Sequence, residues 1–364
     1  MAYTDIDDPS IHFHTQLYTG NGSADRDITN DANSGDFKPD WLWIKSRSLG
    51  GNSHHLFNSN VGMPNNLNSD EAYAEGTATN KATAFNTNGF RVQTHSTVNQ
   101  SSATYVAWQW KANGGTTTTN DASATGIGTH DSIYQANTTA GFSIVTWTGN
   151  AEPETLAHGL GGTPEMIIIK NRTDGEGWWV GATPAGAMSD GKYLALNNTD
   201  AVATNSTSFV NQNPTSTVFR LGGSNSAVDA KINGNGKNIL AYLFRSIQGY
   251  SKINTYIGSG STNGTFVYTG FKPAWVLYKK SSAAENWHIV DNKRDTLNPN
   301  SFAIDANNAN AEANDANLQM DFLSNGFKLR TSHSTANGSG ATYIYYAVAE
   351  SPFCSSKGVP TTAR

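Results

Sequence analysis

The sequence predicts an all-β protein built from three tandem β-sandwich units, and three observations lead to this prediction. A strand-like motif occurs three times in the 364 residues, at positions 39–45, 164–170 and 273–279. Other landmarks keep one order around each copy of the motif. Helical periodicity is weak throughout, whereas Gly, Asn, Ser and Thr are abundant, as is typical of strands joined by tight turns.

The repeated motif is a short apolar run that begins with a proline and ends six positions later with a lysine. A run rich in Trp, Ile, Val and Tyr predicts a strand that is buried on both faces. Proline is tolerated there because the first residue of a strand need not donate a hydrogen bond to the sheet. We expect the final lysines, Lys45, Lys170 and Lys279, to return the chain to water.

A glycine-containing turn precedes each motif, and a further strand and an aromatic closing strand follow it. These landmarks lie at residues 18–22, 88–92 and 105–110 in the first unit, 147–150, 218–221 and 239–244 in the second, and 256–260, 325–329 and 343–348 in the third. The common order indicates homologous units of about 100 residues, longer than the roughly 20–50 residues of a solenoid repeat.

The domain boundaries follow from these landmarks. We predict an N-terminal arm (1–12), β-sandwich 1 (13–113), a linker rich in Gly, Thr and Asn (114–139), β-sandwich 2 (140–248), β-sandwich 3 (249–354) and a C-terminal tail (355–364). Short strands between Gly/Asn turns favour a two-sheet sandwich. The long loops, and a closing strand that resembles a central one, favour the jelly roll among the sandwiches.

Within each unit, a second strand follows the motif strand. In the first unit we predict it at 53–58, before a polar loop at 65–81. Its counterparts are 175–180 in the second unit and 286–290 in the third. The segment 303–318 contains mostly Ala and Asn, so we predict a loop that accommodates at most one helical turn.

The composition limits the kinds of partner that the chain can have. Charged residues make up only 15% and the formal net charge is −5, whereas an average soluble protein has about 25% charged residues. There is no basic stripe or Arg-rich segment, so we expect no nucleic-acid partner. No apolar run approaches the roughly 20 residues of a membrane-spanning helix, so we expect no membrane insertion.

The single cysteine and the first residues bear on the compartment. Cys354 is the only cysteine, so no intrachain disulfide can form and stability must come from packing or assembly. The acidic, polar start lacks the charged and apolar regions of a secretory signal. These features predict a protein that assembles in a cytoplasm.

No catalytic constellation stands out in the sequence. The nucleophile elbow, the zinc-protease motif and the P-loop do not occur. Asp40 and Glu165 occupy one repeat position, but the third copy has Ala274 there, so a catalytic acid would be missing from that copy. We therefore predict no enzymatic activity and no cofactor.

Metal binding has only weak candidates. His12 and His14 share one face of an extended chain, but no third ligand is suitably spaced. Acidic residues at 5–8 and 305–315 offer oxygen ligands for calcium, yet neither segment matches an EF-hand loop. Solvated loops explain these groups better, and we predict no metal site.

Tryptophan residues are the most plausible functional residues of the repeats. Trp41 and Trp43 point the same way on a strand, as do Trp108 and Trp110, and Trp275 is the counterpart of Trp41. Either these residues form the cores of the repeats, or they form an exposed platform for sugar stacking or subunit contact. Trp suits the second role because it offers a large rigid surface with a polar handle.

The N-terminal arm has two interpretations. Asp7, Asp8 and Pro9 form a turn or a stop within a polar segment. Termini of this kind are commonly loose. The alternative is an attachment peptide that becomes ordered on a partner.

Several segments together carry a family resemblance: residues 1–4, 7–9, 17–22, 39–45, 140–145, 266–275 and 321–330. In these segments, and over essentially its whole length, the sequence resembles a family of structural proteins from marine tailed phages. The second unit departs most, with Met166 where the other units have Trp. The resemblance implies a virion structural protein, often a tail fibre, with concanavalin-like jelly-roll domains, and it implies no catalytic residues.

The leading hypothesis is therefore a non-enzymatic virion structural protein, as a tail fibre or host-adhesion component. Its partners would be other virion proteins, further copies of the chain in a homo-oligomer such as a trimer, and a host-surface glycan or protein. The arm at Asp7, Asp8 and Pro9 would provide attachment to the virion. A capsid decoration protein is the alternative within this class, since the chain has no heptads or shaft repeat.

The alternative from another class is a polysaccharide-degrading tail hydrolase. Such an enzyme needs two acids roughly 5–10 Å apart in a cleft.

Overall fold

The computed structural model describes residues 2–31, 37–183, 191–204, 213–222 and 229–362. The chain is all-β, as predicted, and its α-helices in these ranges are single turns of four or five residues. Within these ranges, short 3-10 helices lie at Pro9–Ile11 and Ala316–Leu318. The second is the helical turn that the sequence allowed at 303–318, but the loop predicted for the rest of that segment is wrong in part, because strands at Phe302–Asp305 and Ala313–Asn314 lie in it.

The bounds of the strands and helices follow the three repeats. The first unit contains β1 (Phe13–Thr19), β2 (Arg26–Thr29), β3 (Trp41–Ser46), β4 (His55–Asn58), β5 (Asn65–Asn66), β6 (Gly76–Thr77), β7 (Ala82–Asn86), β8 (Gly89–Val92), α1 (Ser96–Asn99) and β9 (Thr104–Trp110). The second contains β10 (Thr118–Asn120), α2 (Ala122–Thr125), β11 (Ser132–Asn137), β12 (Phe142–Thr148), β13 (Glu154–Ala157), β14 (Met166–Asn171), β15 (Trp178–Ala182), β16 (Lys192–Ala195), β17 (Ala203–Thr204), β18 (Val218–Leu221), α3 (Asp229–Asn233) and β19 (Asn238–Phe244). The third contains β20 (Ser251–Ile257), β21 (Phe266–Tyr268), β22 (Phe271–Lys280), β23 (Trp287–Asp291), β24 (Phe302–Asp305), β25 (Ala313–Asn314), β26 (Met320–Leu323), β27 (Gly326–Leu329), α4 (Ser334–Asn337) and β28 (Thr342–Pro352).

Each unit has a large sheet with the same strand order. The first strand, the closing strand, the motif strand and the next strand lie side by side as β1-β9-β3-β4, β12-β19-β14-β15 and β20-β28-β22-β23. All of these pairs are antiparallel. A smaller sheet packs on one face of each large sheet, as β2-β8-β7, β13-β18 and β21-β27-β26.

The predicted linker at 114–139 is part of the second unit, so this boundary is wrong. β10 and β11 lie in it and extend the large sheet as β10-β11-β12. The polar composition of this segment predicted an exposed linker, but some of its polar residues are buried and hydrogen-bonded. Gln135 is one of these, and its Oε1 accepts the backbone N–H groups of Asn113 and Gly115 at 3.1 and 2.6 Å.

The two faces of each large sheet are buried in different cores. On the motif strands, Leu42, Ile167 and Val276 face the small sheet of their own unit. The residue before each of them, such as Trp41 in the first unit, faces a central core shared by all three units. The motif strands are therefore buried on both faces, as the sequence predicted: the small sheet of the same unit covers one face and the central core covers the other.

The three units contact each other head to tail around the central core. At three equivalent places, a side-chain nitrogen of one unit meets a backbone carbonyl of its neighbour. The pairs are His54 Nε2 with Asp305 O (3.0 Å), Trp178 Nε1 with Asn68 O (2.7 Å) and Trp287 Nε1 with Ala195 O (2.8 Å). Each pair joins different surfaces of the two units, which is the heterologous contact that closes a ring. One polypeptide thus forms a pseudo-trimer.

Candidate functional site

The predicted tryptophans lie in the central core. Trp41, Trp43, Trp108, Trp110 and Trp275 are at most 2% exposed. The ring of Trp110 is 5.3 Å from that of Trp275, across the boundary between the first and third units. The interpretation as an exposed sugar-stacking platform is therefore wrong, because these residues contact one another within the first unit and also contact neighbouring units of the same chain.

The lysines that end the motif strands are buried, so the expectation that they return the chain to water is wrong. Lys45, Lys170 and Lys279 have no exposed surface. Their ammonium groups donate to backbone carbonyls instead, as Nζ of Lys279 does to Glu285 O and to Thr199 O, 2.9 Å away in the second unit. Burial lowers the pKa of each of the three lysines to about 8.

The N-terminal arm is packed against the protein, so the loose-terminus interpretation is wrong. Ile6 lies in the central core, and Pro9 is buried at the start of a 3-10 helix that Asp8 caps. The carboxylate of Asp7 accepts hydrogen bonds from the backbone and hydroxyl of Ser356 in the C-terminal tail. Attachment of the arm to a partner stays a prediction.

The repeated acids have structural partners. Asp40 accepts hydrogen bonds from the Ser59 hydroxyl and from Ala112 N, both at 2.7 Å, and burial raises the pKa of Asp40. Glu165 accepts from Ser246 N at 2.7 Å. In both units the bonded backbone N–H comes two residues after the closing strand, so the acid holds the chain where that strand ends.

The weak metal candidates are not brought together. His12 and His14 contact amide side chains, those of Asn137 (3.1 Å) and Gln16 (3.3 Å). Among the described residues, no group of three or more His, Cys, Asp or Glu side chains lies where it could hold a metal ion. In the same part of the chain, the helices are all too short or too polar to cross a membrane.

A groove of about 770 Å³ lies on the second unit's large sheet, beside the first unit. Its charged and polar groups already bind other parts of the protein. Nε2 of His130 is 2.8 Å from Thr148 O, and Arg172 forms an ion pair with Glu75 at 2.8 Å. The Arg172–Glu75 pair joins the two units and the His130 contact lies within the second unit, so both groups are engaged in internal contacts and are poorly placed to bind a ligand.

The outer face of the third unit's small sheet is the strongest candidate binding surface. Phe266 and Tyr268 on β21 are 44% and 56% exposed, while Val267 between them is buried in the unit's core. Phe266 lies opposite Lys328 on β27, and Lys328 lies opposite Asp321 on β26. We call this row of side chains, with Tyr268, the aromatic face.

Glycine keeps the aromatic face open beside Phe266. Gly326 lies opposite Tyr268 on β27. A Cβ atom added at Gly326 would lie 3.2 Å from Cε2 of Phe266 and 2.1 Å from Val267 O. The absence of a side chain at this position therefore allows the ring to lie close to the sheet.

An open polar groove of about 820 Å³ borders the aromatic face at Asp321. Nε of Arg330 is 3.2 Å from Oδ2 of Asp321, and the backbone N–H of Arg330 donates to Gln319 O at 2.8 Å. The groove thus combines charged, amide and hydroxyl groups. It is lined by Thr262, Asn263, Asn298, Pro299, Gln319, Asp321, Leu323 and Arg330.

The matching face of the first unit has different chemistry. There, Asp27 accepts two hydrogen bonds from Arg91, at 2.8 and 2.9 Å, and one from Asn86 at 2.8 Å. In the second unit the corresponding pair is Thr155 opposite Arg220. Exposed aromatic rings occur only on the third of these faces, as far as the described residues go.

Sequence reasoning missed Phe266 and Tyr268. The signal was available, because two aromatic residues alternate around Val267 in a short strand, which is the pattern of a strand with one wet face.

Fold and surface together define an all-β protein of three repeated sandwich units with one exposed aromatic and polar face. The chain belongs to the family described as a domain of unknown function, DUF7483, whose model matches residues 8–352. No curated protein matches the sequence.

Proposed function

We propose that this protein is a non-enzymatic structural component of a marine tailed-phage particle, as a tail fibre or host-adhesion component. The observation that carries the proposal is the closed ring of three units around one aromatic core. Each unit of the ring is held by both neighbours, which resists its displacement. Such a ring suits a component that presents a binding surface while mechanical force acts on the particle. The family resemblance of the repeats, with its concanavalin-like jelly rolls, supports the same assignment.

The proposed partners are other virion proteins and a host-surface glycan or protein. Asp7 is exposed beside Ser356 of the tail, so the surface where the arm meets the tail is our candidate for virion attachment, and the turn of Asp8 with the buried Pro9 holds the arm in place there. We predicted a trimer of chains from the sequence. The pseudo-trimer within one chain offers a second way to match a threefold partner, because its three units repeat the same contacts.

Cryo-electron microscopy of the intact particle tests this proposal. We expect density for the chain at the tail, with the aromatic face of the third unit turned outwards. Density spread over the capsid lattice would instead favour the decoration protein. Absence of the chain from the particle would refute both assignments.

The rival hydrolase makes a different prediction. The repeated acids Asp40 and Glu165 are engaged in holding backbone N–H groups, which favours a structural role for them. Release of reducing ends from host polysaccharide by the purified protein would overturn the non-enzymatic assignment.

A further inference from the structure

We propose that the aromatic face and its neighbouring groove bind an acidic oligosaccharide, one that carries carboxylate groups. The inference rests on the proposed adhesion function and names the ligand class for it. Three features of the third unit carry the argument: the exposed rings, the polar groove and the local charge.

The exposed rings suit the flat, weakly apolar face of a pyranose. Phe266 and Tyr268 are exposed on one face of an edge strand, with one ring close above Gly326. An aromatic side chain offers a large rigid surface at low conformational cost. The hydroxyl of Tyr268 lies 3.3 Å from that of Tyr3 in the arm, so a polar group marks the far end of the platform.

The groove supplies the groups that hydroxyl-rich ligands need. Carboxylate, guanidinium, amide and hydroxyl side chains line it, among them Gln319, Asn263 and Thr262. These groups include both donors and acceptors, as does a sugar ring. Its volume of about 820 Å³ lies within the roughly 300–1,000 Å³ of small-ligand sites.

The charge of this surface selects an acidic ligand. Lys328 and Arg330 contribute two cations against the single carboxylate of Asp321. Lys328 has no ion pair or side-chain hydrogen bond within the described part of the chain, and it lies between the aromatic ring and that carboxylate. The whole chain has a net charge of −5, so this excess of positive charge is local.

A folded protein partner fits this surface less well. A stable protein–protein contact buries about 800 Å² on each partner and has an apolar centre. Here two rings are followed by charged and amide groups, with no apolar centre between them. Narrow polar ligands are therefore favoured over a second protein.

Calorimetric titration of the full chain tests the proposal, with oligosaccharides of alginate, polygalacturonate and hyaluronate as acidic probes and a galactose oligosaccharide as the neutral probe. We expect binding to at least one acidic probe and weaker binding to the neutral one. The double variant Phe266→Ala/Tyr268→Ala should weaken binding by about tenfold or more. Lys328→Gln should weaken binding of the acidic probe and leave the neutral one unchanged.

Tyr73→Ala provides the matched control, because Tyr73 is an exposed tyrosine (66%) of the first unit. It should bind as the unchanged protein does, and circular dichroism should find all variants folded. The proposal is overturned if none of the acidic probes binds, or if the double variant binds as tightly as the control.

The outcomes separate this inference from the proposed function. A chain that binds acidic oligosaccharide but is absent from the particle would refute adhesion and keep the ligand class. A chain present at the tail that binds none of the probes would keep the adhesion role and refute the ligand class.

Discussion

Glycine is required in the turn before each motif strand because another part of the backbone lies against it. A Cβ atom added at Gly20, Gly149 or Gly258 would lie 2.1, 2.4 or 2.2 Å from a carbonyl oxygen of the segment after α1, α3 or α4. A buried asparagine at the end of each helix binds the turn, as Asn99 does to Asn21 N at 3.0 Å. The landmark that marks the repeats in the sequence is therefore a packing contact.

Gly20→Ala, Gly149→Ala and Gly258→Ala should each destabilise the protein by about 1–3 kcal/mol, because the backbone must move to admit a methyl group. Urea unfolding monitored by circular dichroism measures the effect. Gly76→Ala is the control, since a Cβ there would meet only a side-chain atom, at 3.9 Å. Equal stability of all four variants would contradict this account of the turn.

The buried lysines make stability depend on alkaline pH. Their pKa is about 8 in the folded protein and 10.5 in the unfolded chain. Between these values the unfolded state binds more protons than the folded state, so the free energy of unfolding rises with pH. Below about pH 8 both states are protonated, and the lysines contribute no pH dependence.

We expect the free energy of unfolding to increase between pH 8 and pH 9, below the titration of tyrosines in the unfolded chain at about 10. Nearer pH 10 the rise is opposed, because burial raises the pKa of several tyrosines in the folded protein and the unfolded chain loses those protons first. Denaturant titrations at a series of pH values measure the slope. Lys45→Met/Lys170→Met/Lys279→Met should reduce it, because Met cannot titrate. A flat or falling profile for the unchanged protein would refute the lowered pKa values.

At the scale of elements, the three boundaries between units share one backbone contact but differ in their side chains. The contact joins Glu312 N to Arg47 O (2.8 Å), Glu75 N to Arg172 O (2.8 Å) and Val202 N to Ser281 O (2.9 Å). Two boundaries therefore carry an Arg–Glu ion pair, and the third carries Ser and Val in its place. The backbone contact aligns neighbouring units in the same way at all three boundaries, and the ion pairs stabilise two of them further.

The pair at Glu312 belongs to a larger buried network. Glu312 also accepts from Arg294 at 3.1 Å, and Arg294 pairs with Asp291 at 2.6 Å. Both Arg294 and Asp291 have fully buried side chains, and Asp291 accepts from Nε1 of Trp108 in the first unit. Loss of the Glu312 charge would leave a buried guanidinium with one anion fewer.

Glu312→Gln should therefore cost about 3–5 kcal/mol, the usual result of breaking a buried ion pair. Glu75→Gln is the matched variant at the other boundary, where one Arg–Glu pair is partly exposed, and it should cost about 1 kcal/mol. Urea unfolding compares the two. If Glu75→Gln proves as costly as Glu312→Gln, the buried network is not what distinguishes the boundaries.

At the scale of the whole molecule, the shared core couples the three units. It contains residues of every large sheet, and Trp41 packs 4.3 Å from Tyr242 of the second unit. Unfolding one unit would expose the core faces of the other two. We therefore expect one cooperative transition.

Tryptophan fluorescence and far-ultraviolet circular dichroism should give coincident denaturation curves. Phe322→Ala, in the third unit's own core, should lower the midpoint of that single transition by an amount that reflects about 3–5 kcal/mol. Separate transitions, or a shift confined to one of them, would mean that the units are independent.

The sequence alone indicated the threefold repeat and the positions of the motif, second and closing strands. It could do so because alternation and glycine turns are local properties, repeated three times. It also indicated that the motif strands are buried on both faces, which the structure confirms.

Only the tertiary structure decided what covers the second face of those strands. A run such as Trp41 to Lys45 indicates that its side chains are covered, but the same residue types would suit contact with a sugar, with a partner chain or with another unit of this chain. In the structure the second face is covered by neighbouring units of the same chain. The lysines are buried as well, because loop carbonyls accept hydrogen bonds from their ammonium groups. The aromatic face became recognisable only when the three small sheets were compared, because Phe266 and Tyr268 are exposed on the third unit while the matching faces of the other two carry charged and polar residues.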